Sequence, residues 1–130
     1  MSIDSTELIV DLLARGHMVR FRARGPSMHP IIRENDYLLV EPAREIRRGD
    51  VVLTLAERGL TAHRVIEIAG ERVITRGDNA PCDDDPVDRS KVLGRVTHAE
   101  REGRQRAIRR ARALSLRLRR VIARCGVRQR

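Results

Sequence analysis

Residues 49–75, GDVVLTLAERGLTAHRVIEIAGERVIT, read as three strands joined by two tight turns. Gly49-Asp50 opens a strand over residues 51–56, and Glu57-Arg58-Gly59 closes a hairpin into a second strand over 60–68. Ala69-Gly70-Glu71 turns the chain again into residues 72–75. Upstream, residues 17–24 alternate Met18, Arg20, Arg22 and Arg24 with Val19, Phe21 and Ala23, the pattern of a half-buried strand. Gly25-Pro26 breaks it. A further strand over 37–41 lies between the turn Glu34-Asn35-Asp36 and Pro42. Downstream, the acidic loop GDNAPCDDDPVD (77–88) leads to a last strand over 92–97. Short strands joined by hairpin turns indicate a mainly β domain. One short helix precedes it, about residues 5–15, with Ser5 as cap, Leu8, Ile9, Leu12 and Leu13 at helical spacing, and Gly16 as stop.

A chain of 130 residues has room for one such domain. Phe21 and Tyr37 are its only aromatic residues, so the core is built from aliphatic side chains, and recognition of nucleic acid by base stacking is disfavoured. The net charge of +9 is unevenly placed. Residues 101–130 hold twelve Arg and one acid, whereas residues 1–100 hold fifteen basic and seventeen acidic residues. The chain therefore divides into a near-neutral body, 1–100, and a basic tail, 101–130. Ile108, Ala111, Leu114, Leu118, Val121 and Ile122 fall at helical spacing in that tail, which predicts a basic amphipathic helix over about 104–124 ending at Gly126. Such a helix suits an anionic membrane surface, and less readily nucleic acid or an acidic partner. Cys82 and Cys125 belong to no metal-ligand or CxxC spacing, so neither a metal nor a disulfide framework is expected. No signal segment or membrane-spanning run is visible, and the expected location is cytoplasmic, peripheral at the membrane through the tail.

Four blocks carry residue types suited to chemistry. They are Gly25-Pro26-Ser27-Met28-His29-Pro30, Arg48-Gly49-Asp50-Val51-Val52, His63-Arg64-Val65, and Thr75-Arg76-Gly77-Asp78-Asn79 followed by Asp83-Asp84. Ser27 stands at a chain break, where its hydroxyl can project from a sheet edge. A serine hydroxyl needs a base within hydrogen-bond reach to act as a nucleophile. His63 is the candidate, because the unperturbed pKa of a histidine side chain suits taking a proton near neutral pH. A carboxylate behind the imidazole would hold its tautomer, and Asp78, Asp83 and Asp84 are all available.

In order and content these blocks, over about residues 18–97, resemble the type I signal peptidases and the related self-cleaving repressor peptidases. The resemblance implies a signal-peptidase/repressor-peptidase-like β domain acting as a serine peptidase without a cofactor. A lysine serves as base in most bacterial members, but His63 occupies that place here, as in the archaeal and endoplasmic-reticulum type. The single lysine, Lys91, lies outside the matching blocks. By the same resemblance Asp84 is the third catalytic member, and Asp78 is the supporting or alternative acid. The oxyanion site implied involves Gly25, Ser27 and Met28. Two departures stand out. Members usually carry membrane spans, and many place a hydroxyl where this chain has Gly25.

The implied substrate is a peptide or protein precursor bound in extended form. The alternative reading is a non-catalytic module of the same fold, whose basic tail binds nucleic acid or an acidic partner. His29, two residues from Ser27, is read as structural or substrate-contacting, and His17 and His98 as surface residues. The run Asp83-Asp84-Asp85 lacks the ligand spacing of a calcium loop. Met28 is read as a buried anchor.

Overall fold

The computed structural model describes residues 5–57 and 59–111. Helix α1 (Ser5–Ala14) is followed by strands β1 (Val19–Arg22), β2 (Tyr37–Pro42), β3 (Val51–Ala56), β4 (Gly59–Ala69) and β5 (Arg72–Arg76). Then come β6 (Val87–Asp88), a single 3-10 turn, β7 (Val92–Arg101) and β8 (Arg104–Ala107). All pairings are antiparallel, in the order β1-β2-β7-β3-β4-β5-β6, with β8 also on β7. The mainly β reading and the short N-terminal helix stand.

The long strand β7 is the centre of the sheet, although it comes late in the chain. It pairs with β2 through residues 94–100, and with β3 through 92–95. Register shifts at Leu39/Val40, Leu53/Thr54 and Val65/Glu67 are bulges that curl the sheet. Curling gives it two covered faces around β3. Val51 and Leu53 join Leu13, Leu38, Val40 and Val96 in one core, while Val52 joins Val65, Val73 and Val92 in a second. α1 closes the first core with Leu13.

The expected tail helix is corrected at its start. Residues 104–107 form β8, paired with residues 98–101 of β7. Glu102 and Gly103 both have positive φ, 52° and 76°, which is the geometry of a two-residue hairpin turn whose twist matches the strands it joins. The open edge of β7 offers those residues backbone partners, and that outweighs the apolar periodicity. Ile108 still reaches the core, but from an extended segment, with its N–H on the Thr97 carbonyl at 2.9 Å. Residues 112–124 of the expected helix lie outside the described residues. The charge break at 100/101 thus falls before the end of the sheet.

Two turns of the same build brace the sheet. In each, an Asp carboxylate takes the N–H of an Arg three residues earlier: Arg33 to Asp36 at 2.9 Å and Arg47 to Asp50 at 2.8 Å. In each, a residue with positive φ stands just before the Asp, Asn35 or Gly49. An arginine from the chain's end completes each, Arg101 on Asp36 at 2.8 and 2.7 Å and Arg110 on Asp50 at 2.8 Å. Burial pushes the Asp36 carboxyl up. Hydrogen bonds from Arg101 and the Arg33 amide, with the charge of Arg101 and Arg106, outweigh this and hold it below the usual carboxylate range.

A depressed folded value gives stability that is present above the unfolded pKa, about 4, and lost as pH falls through the folded one. Wild type should therefore lose denaturant resistance on acidification below about pH 4, and Asp36→Asn should flatten that loss. Arg101→Ala, which leaves buried Asp36 without its main partner, should cost about 2 kcal/mol at neutral pH. Urea midpoints at neutral and acid pH check both.

Candidate active site

Ser27 follows β1 where Gly25, with φ of 79°, turns the chain away from the strand. The turn is anchored below by Met28, 4% exposed, as expected of a buried anchor. It is anchored from the side by the loop after β5. The Asn79 N–H donates to the Ser27 carbonyl at 2.8 Å, the Asn79 side chain donates to the Pro26 carbonyl at 3.1 Å, and the Asp78 N–H points at Met28 Sδ, 3.2 Å away. Both ends of the Ser27 turn are therefore held by polar contacts, and its hydroxyl faces inward.

His63 sits on β4, opposite Val52 of β3. Its Nε2 lies 3.0 Å from Ser27 Oγ, and its Nδ1 lies 2.6 Å from Asp84 Oδ2. Thr75, at the end of β5, donates its hydroxyl to the same Asp84 oxygen at 2.7 Å, and the Asp84 N–H donates to the Thr75 carbonyl at 2.7 Å. An ionised carboxylate only accepts, so the Asp84 contact places the imidazole hydrogen on Nδ1. The Nε2 lone pair is then directed at the Ser27 hydroxyl. Such a chain can draw a proton from Oγ and hold the imidazolium that results.

The second aspartate is placed differently. Asp78 and Arg64 form a two-pronged pair at 2.8 and 2.7 Å, each side chain 2% exposed. Arg64 also donates to the carbonyls of Gly49, at 2.9 Å, and Arg109, at 3.1 Å. Asp78 thus braces the strand that carries His63. Asp83 lies 3.7 Å from the Arg76 guanidinium. His29 is exposed beside the Ser27 turn.

Three contributors were missed in the sequence. Arg64 and Thr75 stand inside the blocks quoted above, but an arginine in a strand reads as solvent-facing and a threonine as a strand former. Gly77 is the third. A Cβ built on it would lie 2.5 Å from the Ser27 carbonyl oxygen, 3.1 Å from Ser27 Cβ and 3.2 Å from His63 Nε2. The absence of a side chain at Gly77 is what lets Ser27 and His63 meet. Cys82 is also corrected, for it is disulfide-bonded. The lack of a CxxC or metal-ligand spacing along the chain does not exclude such a bond.

A groove of about 790 Å³ opens beside Ser27 and His63. Phe21 and Ala23 of the β1 side, Leu60 and Ala62 of β4, and Met28 and Ile32 line it. No helix of the described residues is long and apolar enough to cross a membrane. No curated protein matches the chain. The family model described as Peptidase S24-like matches residues 3–97, a span that takes in Ser27, His63, Asp78 and Asp84. With most of its length matched, and with the mainly β fold the match implies, the chain belongs to the Peptidase S24-like family.

Proposed function

We propose that the protein is a serine endopeptidase that cuts an extended peptide or precursor segment. The observation that carries this reading is the continuous contact from Ser27 Oγ through His63 to Asp84, at 3.0 and 2.6 Å. Ser27 Oγ bonds to the scissile carbonyl carbon while its proton passes to His63 Nε2. The C–N bond then breaks, and the leaving amine takes that proton. Water, deprotonated by the same nitrogen, releases the acyl group and restores Ser27. Asp84 holds the ring and its Nδ1 hydrogen throughout. The N–H groups of Ser27 and Met28 have no acceptor among the described residues, and are the donors for the oxyanion. Gly25 contributes conformation rather than a donor. The substrate lies along strand edges that the sheet leaves open: β1, which ends the sheet, and residues 59–63 of β4, since β5 pairs only from Arg64 onward.

Ser27→Ala and His63→Ala should each abolish cleavage of an unstructured peptide library while circular dichroism stays that of wild type. The loss expected is about six powers of ten in kcat, the size seen when a nucleophile or its base is removed from such a unit. Cleavage retained within a few-fold by either variant would overturn the assignment of Ser27 and His63, and no cleavage by wild type would place the protein with the non-catalytic members of this fold.

A further inference from the structure

The groove beside Ser27 has an uneven charge, and this bears on which peptide enters it. Its lining includes Arg22 and Arg24 but no Asp or Glu. Arg22 gives one N–H to the Tyr37 hydroxyl at 2.7 Å. Arg24 is exposed and makes no hydrogen bond or ion pair with any described residue. The other arginine on this side, Arg20, is engaged by Glu100 at 3.1 Å and by the Tyr37 ring.

The backbone sets how these two charges meet a substrate. The Ala23 N–H donates to the Asp36 carbonyl and the Ala23 carbonyl accepts from the Asn35 N–H, so Ala23 turns its hydrogen-bonding groups inward toward β2. In an antiparallel ladder those directions alternate, so Arg22 and Arg24 present theirs to the open edge. A peptide laid on that edge therefore pairs residue for residue with Arg22 and Arg24. Directly opposed residues put their side chains on the same face of a sheet. Two substrate side chains, two residues apart, then stand beside the two guanidinium groups. The side chain between them faces the apolar side with Ala23 and Phe21.

Resting on the reading of this groove as the peptide site, we infer that Arg22 and Arg24 select extended substrates with acidic residues at positions i and i+2 flanking a small or apolar residue. The basic tail attracts any acidic peptide, so the spacing, rather than acidity alone, is the signature of this site. Exposed ion pairs are modest singly. Two opposed pairs, set against two like-charge contacts for a lysine peptide, amount to a preference of about tenfold.

The test uses full-length protein carrying Ser27→Ala, which binds without cutting, and three labelled Ala/Ser-based peptides followed by fluorescence anisotropy at physiological ionic strength. One has Glu at i and i+2, one has Lys at the same places, and one has Glu at i and i+3. The first should bind about tenfold tighter than the second, and tighter than the third. Adding Arg22→Glu and Arg24→Glu should reverse the preference toward Lys. Arg44→Glu with Arg47→Glu, the same charge change away from the groove, should leave it intact. Equal affinities, no saturable binding of any peptide, a preference that survives the groove reversal, or one that ignores spacing would each overturn the inference. Cleavage by protein with Ser27 present is scored separately. If the preference holds and no peptide is cut, the catalytic reading fails and the selection by Arg22 and Arg24 stands.

Discussion

Asp84→Asn should lower kcat by about four powers of ten with little change in melting temperature, because its effect is on which imidazole nitrogen carries the hydrogen. In wild type the carboxylate accepts from His63 Nδ1 and the Thr75 hydroxyl on one oxygen. An amide there can offer its NH2 to Nδ1, which moves the ring hydrogen to Nε2 and turns it against Ser27. The Asp84 side chain is 35% exposed, so the substitution buries no new unpaired charge. Asp78→Asn has the opposite profile. It leaves Arg64 buried and without its counter-charge, which should cost about 3–5 kcal/mol and lower the melting temperature sharply. Steady-state cleavage and thermal unfolding of the two variants, measured together, separate the roles. Full activity in Asp84→Asn, with activity lost in a thermally unchanged Asp78→Asn, would exchange them.

Gly77→Ala should reduce kcat about a hundredfold, the usual result of shifting a reacting group by about 1 Å. Gly77 does not have the left-handed φ that would make glycine obligatory. The obstacle is space. The nearest atom to the new methyl is the Ser27 carbonyl oxygen at 2.5 Å, a backbone atom that also takes the Asn79 N–H. It cannot swing aside as a side-chain tip would, so Ser27 must move away from His63. The stability loss from such overpacking should be about 1–3 kcal/mol. Gly94 is an instructive control, being equally crowded by Val40 at 2.5 Å and the Glu41 carbonyl at 2.6 Å, with no atom of the Ser27 turn or of His63 among the nearest three. Gly94→Ala should lose stability and keep kcat in the folded fraction. If Gly77→Ala retains wild-type kcat, the glycine is not what brings Ser27 and His63 together.

Local signals were legible where the chain speaks to its neighbours. The turns at Gly49-Asp50 and Ala69-Gly70 placed β3, β4 and β5 to within a residue or so, because turn chemistry acts over four residues. What covers each face was not legible. The run VVLTLA has no alternation, and its burial on both faces follows only from the curl around β7. At residues 104–107 the arginine-rich periodicity pointed to helix, and the open edge of β7 won. In the site, the blocks offered Ser27 and His63, left Asp78, Asp83 and Asp84 open, and only the resemblance singled out Asp84. The burial of Arg64 with Asp78 depends on three separate segments converging, and no spacing along the chain encodes it.

The late central strand has a consequence for synthesis. Ser27 extends from the β1–β2 pair, whereas His63 and Asp84 belong with β3, β4 and β5. The sheet joins these two groups through β7 alone, whose residues 92–101 are translated after every member of the site. A nascent chain that has emerged only as far as Asp84 holds Ser27, His63 and Asp84 without the strand that aligns them. In such a topology Ser27, His63 and Asp84 come into line only once the sheet is complete, so an unfinished chain does not hold them together.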